Sequence, residues 1–148
     1  MNAATRPELD QAVVHGDAKG FAQQVTLGRH ELVADEPAAL GGTDAGPDPY
    51  GLLVAALGAC TSMTISLYAR RKQWPLESVT VRLRHSKVHA ADCTDCETRE
   101  GMVDRIEREV ELRGQMSEAQ RTRLIEIANR CPVHRTLTSR IDIRTRLL

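Results

Sequence analysis

The sequence predicts a single α+β domain over residues 1–148, in which one long apolar helix is accompanied by short strands and a second helix. Two observations lead to this prediction. Apolar and polar residues alternate with period two on either side of one extended apolar segment, and a capping sequence opens a second helical pattern near Ser117. Residues 1–11 are polar, and we expect them to form a loose N-terminus.

Composition and charge exclude several classes of function. Twenty Lys and Arg balance 20 Asp and Glu, so no net charge attracts nucleic acid or an anionic membrane. The opening residues contain no apolar segment typical of a secretory signal. The longest apolar run, Leu52–Cys60, is too short to span a bilayer. We therefore expect a cytoplasmic protein, whose four cysteines stay reduced by default.

The first third of the chain is expected to contain strands and a loop. Residues 12–34 alternate weakly in polarity and contain two turn sequences, at 16–20 and 27–29, which predicts short antiparallel strands. Residues 35–49 are rich in Gly, Pro and Asp and predict a loop.

A long helix is predicted between Asp48 and Pro75. Asp48 suits the N-cap position and Pro49 the first helical position, while three basic residues, 70–72, suit the negative end of the helix dipole. Apolar residues cover nearly the whole circumference, which is typical of a helix buried on all sides. At 1.5 Å per residue it is about 35 Å long. Because a chain of this size can hardly cover such a helix alone, we expect a homodimer.

The second half predicts two strands, a helix and a closing strand. The strands cover 76–90 and 104–114, and the alternating Arg and Glu residues of the second are interpreted as its solvated face. Ser117 and Gln120 form a capping box for a helix that ends near Cys131. Residues 139–148 are predicted to form the closing strand.

Cys60 and Cys131 lie 71 residues apart in different settings. Apolar neighbours disfavour the reactive thiolate at Cys60, which therefore needs a cation from another part of the fold. Cys131 precedes Pro132 near the negative end of a helix dipole, which suits a resolving thiol better than an attacking one. His134 and Arg135 follow closely and could support a thiolate. The alternative is that both cysteines are small core residues.

The segment "GPDPYGLLVAALGACTSM", followed much later by "CPVHRTL", resembles the osmotically inducible protein C / organic hydroperoxide resistance (OsmC/Ohr) family. The similarity extends from about Leu27 to the end of the chain. The resemblance implies an OsmC/Ohr-like fold, an intertwined homodimer whose long central helices pack between antiparallel β-sheets, with active sites at the dimer interface.

The resemblance also implies a peroxiredoxin-like activity in the oxidative stress response. Cys60 would attack an organic hydroperoxide and become a sulfenic acid, and Cys131 would condense with it to a disulfide. An external thiol reductant, such as a dihydrolipoyl group, would then reduce the disulfide. The cycle implies no metal and no organic cofactor.

Two positions depart from the family pattern. Hydroperoxide-resistance members carry a glutamate where this chain has Tyr50, and an arginine in the first hairpin, where the nearest cation here is Lys19. Arg29, His134 and Arg135 are the candidates to replace the missing pair.

Cys93 and Cys96, in "DCTDC", allow three interpretations. With His85 and His89 they supply two sulfurs and two nitrogens, a zinc-like set, but residues 85 and 89 lie about 13 Å apart on a strand. A redox or regulatory disulfide is the second interpretation, and a solvated acidic loop is the third.

Two functions follow. The favoured one is a thiol-dependent peroxidase that uses Cys60 and Cys131. The alternative is a non-enzymatic homodimer that binds a small apolar ligand near Cys60, with a zinc or redox role of the Cys93-x-x-Cys96 segment as a further possibility.

Overall fold

The structure is a computed structural model, and it describes residues 12–148. The predicted α+β class is confirmed, since the chain combines antiparallel sheets with helices. The chain divides into two compact units, Met1–Leu52 and Leu53–Leu148. The single domain over 1–148 stays a prediction, and the expected loose N-terminus, 1–11, lies outside the described residues.

A three-stranded antiparallel sheet forms the first unit, as the alternation in 12–34 predicted. Its strands β1 (Val13–His15), β2 (Gln23–Leu27) and β3 (His30–Ala34) are neighbours in that order. Gly28 has φ +62° in the turn between β2 and β3, a conformation that glycine adopts without steric cost. Val25 is the buried residue of the central strand.

The loop after β3 is organised by one carboxylate. Asp35 is only 2% exposed. It accepts hydrogen bonds from the Thr43 hydroxyl (2.6 Å) and from the backbone N–H groups of Thr43 (3.1 Å), Ala45 (3.1 Å) and Glu36 (2.8 Å). These donors, the Thr43 hydroxyl first among them, lower the Asp35 pKa from 3.8 to about 2. The loop is therefore ordered around a charge.

Acid should destabilise this loop. In the unfolded chain Asp35 binds its proton near its ordinary pKa of 3.8, whereas in the folded chain it does so near 2. Its contribution to stability is therefore complete above pH 3.8 and is lost as the pH falls towards 2. We expect Asp35→Asn to lower the free energy of unfolding at pH 6 and to remove part of its decline between pH 4 and 2, measured by urea denaturation. Asp17→Asn, in an exposed turn, is the control; an unchanged pH dependence in Asp35→Asn would contradict the assignment.

Helix α1 spans Pro49–Lys72, 24 residues, and begins and ends as predicted. The Asp48 carboxylate accepts the Gly51 N–H at 2.8 Å, which confirms the N-cap. The single chain covers only one stripe of α1, as expected for an apolar helix that a chain of this size can hardly cover alone. The buried residues are Leu57, Gly58, Thr61, Ile65 and Ala69. Apolar side chains elsewhere on α1 are exposed, among them Leu53, Met63 and Leu67.

α1 is also long and apolar enough to cross a membrane, by length and composition alone. The length of the apolar run Leu52–Cys60 did not anticipate this, because the helix continues for twelve residues beyond Cys60. A single helix of this kind is weak evidence for a membrane segment, since core helices meet the same criteria.

The second unit is built on a long antiparallel hairpin of β4 (Leu76–His89) and β5 (Met102–Gly114). α1 lies close to this hairpin, because a Cβ added to Gly58 would come within 2.7 Å of Leu83 Cδ1. Gly58 therefore permits a close approach that a larger residue would disturb. The core consists of residues from α1 and the next helix, packed against the hairpin: Ile65, Ala69, Leu124 and Ala128.

Two short helices follow. α2 spans Glu118–Ala128, and the predicted capping box of Ser117 and Gln120 is confirmed in both directions. α3, Pro132–Leu137, was not predicted, because Pro132 was interpreted only as a stop signal. A proline also suits the first position of a new helix.

The predicted closing strand over 139–148 is wrong. Residues 140–148 have no regular secondary structure and are exposed. A strand requires a hydrogen-bonded neighbour, and within 12–148 every strand pairing belongs to β1–β3 or to β4–β5.

Candidate active site

Cys60 and Thr61 are consecutive residues of α1, and their side chains differ in burial. The Thr61 side chain is fully buried, and its hydroxyl donates to the Leu57 carbonyl at 2.7 Å. Cys60 is a free thiol and is only partly buried. The helix therefore offers one thiol that small molecules can reach, next to one hydroxyl that they cannot.

Cys131 is a free thiol with no exposed surface. It lies beyond the end of α2, as predicted, but it is also the N-cap of α3, where its sulfur accepts the His134 N–H at 3.2 Å. The expectation that Cys131 faces only the negative end of a helix dipole is therefore wrong. Its sulfur lies at the N-terminus of a helix, where backbone N–H groups are the available partners.

Folding brings the two cysteine segments together. Thr61 Oγ1 lies 3.9 Å from Cys131 Sγ, although 70 residues separate them in the sequence. Since Cys60 is the neighbour of Thr61 in the chain, both free thiols belong to one region of the second unit. Nothing in the local sequence around either cysteine specifies this proximity.

Arg108, on β5, holds this region together. Its Nη1 donates to Thr61 Oγ1 at 2.9 Å and to the Ala128 carbonyl at 3.5 Å. Its Nη2 donates to Asn129 Oδ1 at 2.8 Å and contacts His134 Nδ1 at 3.3 Å. One guanidinium therefore joins α1, the end of α2 and α3.

The interpretation of the Arg/Glu alternation in β5 as a solvated face is wrong for Arg108. Its side chain is partly buried, whereas Glu107 and Glu109 are exposed. The sequence does contain the signal: Arg108 lies two residues from both Ile106 and Val110, so period two places all three on the inner face.

His134 is neutral at this site. Desolvation lowers its pKa below the ordinary value of 6.5, and the positive charge of Arg108 lowers it further. Because a guanidinium can only donate, the hydrogen bond to Nδ1 requires that this nitrogen accept. The ring proton of the neutral tautomer is therefore on Nε2.

A cavity of about 380 Å³ adjoins Arg108 and His134. The remaining lining residues are Leu57, Asp104, Ile106, Leu137 and Thr138. Its lining combines apolar side chains with a cation, a carboxylate and a neutral imidazole. Within the described part of the chain neither Cys60 nor Thr61 is among the lining residues, so the cavity is not the surroundings of Cys60.

Comparison with known proteins identifies the family. A family model described as OsmC-like protein matches residues 42–146. The chain belongs to this family. No curated protein is significantly similar to it in sequence.

Solved structures of OsmC-like proteins share the fold. A putative osmotic stress induced and detoxification response protein of Psychrobacter arcticus is 17% identical, with 89% of this chain and 90% of that one covered and a TM-score of 0.67. An organic hydroperoxide resistance protein OsmC of Legionella pneumophila is 21% identical (86% and 87% covered, TM-score 0.63). The organic hydroperoxide resistance protein OhrB of Bacillus subtilis is 19% identical (88% and 91%, 0.60). At these identities the comparisons establish the OsmC/Ohr fold.

The other predicted candidates of this OsmC-like chain lie on exposed segments. Lys19 and Arg29 are exposed in turns of the first unit, and Tyr50 is 45% exposed in the first turn of α1. Arg135 is exposed on α3. Among the candidates named from the sequence, His134 contacts Cys131 through its backbone N–H, and the cation that reaches Thr61, next to Cys60, is Arg108, which was not predicted.

Cys93 and Cys96 form a disulfide in the loop between β4 and β5. The four-ligand set with both histidines is not assembled, because His85 Nε2 contacts Asp104 Oδ1 at 2.8 Å and His89 is exposed at the end of β4. A disulfide is present, as the second interpretation requires, and the expectation that all four cysteines stay reduced is therefore wrong for this pair.

Arg108 should control the His134 pKa. In Arg108→Met the positive charge beside the ring is lost, so we expect the His134 pKa to rise, though not to its ordinary value, because the burial that is the larger cause remains. The measurement is an NMR titration of the imidazole nitrogens, which also reports the Nε2–H tautomer. Arg113→Met, at an exposed position of the same strand, is the control. A His134 pKa unmoved in Arg108→Met would contradict the contact.

Proposed function

We propose that this OsmC-like protein is a thiol-dependent peroxidase that reduces organic hydroperoxides, with Cys60 as the attacking thiol and Cys131 as the resolving thiol. The observation that carries the proposal is the 3.9 Å approach of Thr61, the neighbour of Cys60, to the Cys131 sulfur. The difference in burial supports the division of roles, because a peroxide can reach the partly exposed Cys60 and not the enclosed Cys131. Two of the structural neighbours are named organic hydroperoxide resistance proteins.

The proposed cycle is balanced in two steps and a reduction. The Cys60 thiolate attacks the terminal oxygen of ROOH, the O–O bond breaks, and ROH leaves after protonation. The Cys131 thiol then attacks the Cys60 sulfenic acid, which forms a disulfide and releases water. An external dithiol, of the dihydrolipoyl type, reduces this disulfide by exchange. No metal or organic cofactor enters this cycle, which we place in the cytoplasm as part of an oxidative stress response.

Arg108 supplies the positive charge that the proposed chemistry needs. It reaches the α1 segment through Thr61 at 2.9 Å, and it stands in for the family pair that Tyr50 and the Lys19 turn do not provide. The 2.9 Å contact is with the Thr61 hydroxyl, one residue from Cys60, and a cation in this region would favour the alkoxide that forms when the O–O bond breaks. Neutral His134, with its proton on Nε2, can donate a hydrogen bond to the developing alkoxide, which takes its proton from water.

We further propose that the working form is a homodimer. The exposed apolar side chains of α1 include Met63 (70% exposed) and Leu67 (41%), which lie four residues apart and so share one face of the helix. This face lies opposite the buried stripe Leu57–Ala69. A second copy of the chain packed against it would cover these apolar side chains.

One observation favours a second function, the binding of a small apolar ligand without catalysis. Leu57, Ile106 and Leu137 give the 380 Å³ cavity an apolar wall of a size suited to a small molecule. Under this alternative, native mass spectrometry would detect a ligand retained equally by the native protein and by Cys60→Ser. The peroxidase requires instead that Cys60→Ser abolish hydroperoxide consumption.

Disulfide mapping tests the proposed cycle. Fully reduced protein, treated with a slight excess of cumene hydroperoxide and quenched with an alkylating agent, should yield a Cys60–Cys131 linked peptide. In Cys131→Ser we expect a Cys60 sulfenic acid that a dimedone probe captures. The same experiment in Cys93→Ser/Cys96→Ser controls for exchange with the second cysteine pair. If Cys60 and Cys131 both stay free after peroxide has been consumed, the proposed chemistry is wrong.

The dimer prediction is tested by a charge on the exposed face. Met63→Lys should shift the protein from dimer to monomer in sedimentation velocity experiments, because an ammonium group buried at an apolar interface is costly. Arg70→Glu, also exposed on α1 but polar already, is the control. A monomeric native protein, or a Met63→Lys variant that stays dimeric, would contradict the proposal that this face of α1 is the dimer interface.

A further inference from the structure

The loop between β4 and β5, residues 90–101, carries a second sulfur pair that the proposed peroxidase cycle does not use. Cys93 and Cys96 lie here as a disulfide, with a Cα–Cα distance of 5.5 Å. From Met102, where β5 begins, to Arg108 is about 20 Å at 3.3 Å per residue. The pair is therefore separate from the site around Arg108.

The disulfide is not needed to hold the loop closed. The two ends of the loop are held together by the His89–Met102 strand pair and by the Ala90 N–H, which donates to the Gly101 carbonyl at 2.8 Å. A cross-link across two intervening residues restricts the unfolded chain little, because the entropy of loop closure grows with loop length. The two sulfurs are therefore better explained by their chemistry than by stabilisation.

The loop presents a set of metal-ligand atoms. The sulfurs of Cys93 and Cys96 and a carboxylate oxygen of Asp95 lie within 4.8 Å of one another. Asp95 Oδ1 is 3.5 Å from Cys93 Sγ. Both cysteines are partly buried and Asp95 is exposed, so the set is open to solvent on one side.

The charges around the set distinguish a metal site from a simple dithiol. Asp92, Asp95 and Glu97 are all exposed within five residues of one another. Carboxylates repel the two thiolates that a reduced pair forms, whereas a divalent cation between them removes this repulsion. Two thiolates with one carboxylate are donors that zinc accepts in proteins.

We propose that loop 90–101 binds one divalent ion of the zinc class through Cys93, Asp95 and Cys96 when the cysteines are reduced, and that the disulfide is the oxidised, metal-free form. The two forms are related by a balanced exchange. A small disulfide, RSSR, takes two electrons from the zinc-bound thiolates; its S–S bond breaks, the Cys93–Cys96 bond forms, and Zn²⁺ and two RS⁻ are released. The proposal involves neither Cys60 nor Cys131 and does not rest on the proposed peroxidase function.

Zinc competition with a chromophoric chelator tests the site in the full-length protein, kept reduced with a phosphine. We expect one zinc per chain in the native protein and in Cys60→Ser, which excludes binding by the other thiol pair. Cys93→Ser and Cys96→Ser should each weaken binding by more than the roughly 10- to 100-fold typical of outer-shell changes, and Asp95→Asn should also weaken binding, though less than either serine variant. Thr94→Ala, within the same loop, is the matched control and should bind as the native protein does.

Two further readings complete the test. Cobalt(II) in place of zinc should give a thiolate-to-metal absorption band that Cys93→Ser loses while its circular dichroism spectrum is unchanged. Oxidised glutathione should release the zinc as the Cys93–Cys96 disulfide appears in the mass spectrum. Absence of stoichiometric zinc in the reduced native protein, or its retention in Cys93→Ser and Cys96→Ser, would overturn the proposal.

Discussion

The guanidinium of Arg108 is the contact on which the arrangement of the second unit's candidate site depends. Its hydrogen bonds reach the α1 hydroxyl of Thr61, the end of α2 at Asn129 and the ring of His134 on α3. Among the described residues each of these partners is neutral, and Asp104, the carboxylate that lines the same cavity, is bonded to His85 and Lys87. A partly buried guanidinium with neutral partners attracts an anion. That is the property required next to thiols that are to react as thiolates.

Under the proposed function, this contact explains how a chain without the family's usual charged pair can keep its two cysteines. The resemblance places the activating charges in the first hairpin and at the start of α1, whereas we propose that here the cation is Arg108, in the middle of β5. The period-two geometry of a strand makes the substitution possible, because residue 108 faces the same side as the core residues Ile106 and Val110. An arginine can occupy such a position since its long stem crosses apolar surroundings while its head finds oxygen and nitrogen partners.

What the sequence predicted correctly was specified locally. The start of α1 follows from Asp48 and Pro49, and the start of α2 from Ser117 and Gln120, because capping involves residues within one turn. The closing strand over 139–148 was predicted from alternation alone, which says which residues could face inward but not whether a neighbouring strand exists. The apolar circumference of α1 correctly predicted a helix that the single chain does not fully cover, but it does not specify what covers the exposed face. Arg108 was missed because a charged residue was assigned to the solvated face of the strand. Its position in the period-two pattern places it on the inner face.

The two cysteine pairs lie in opposite electrostatic surroundings, and this difference separates their chemistry. Near Cys131 the available groups are donors: the His134 N–H at 3.2 Å from the sulfur and, through Thr61, the Arg108 guanidinium. Around Cys93 and Cys96 the neighbouring charges are carboxylates. Donors near Cys131 suit its proposed role as the thiol that attacks the Cys60 sulfenic acid, whereas carboxylates make a thiolate pair unfavourable until a cation joins it. One chain can therefore hold two pairs of cysteines with different proposed chemistry. The charged groups around each pair, and not the thiols themselves, distinguish the pair that reacts with a peroxide from the pair that binds a metal ion.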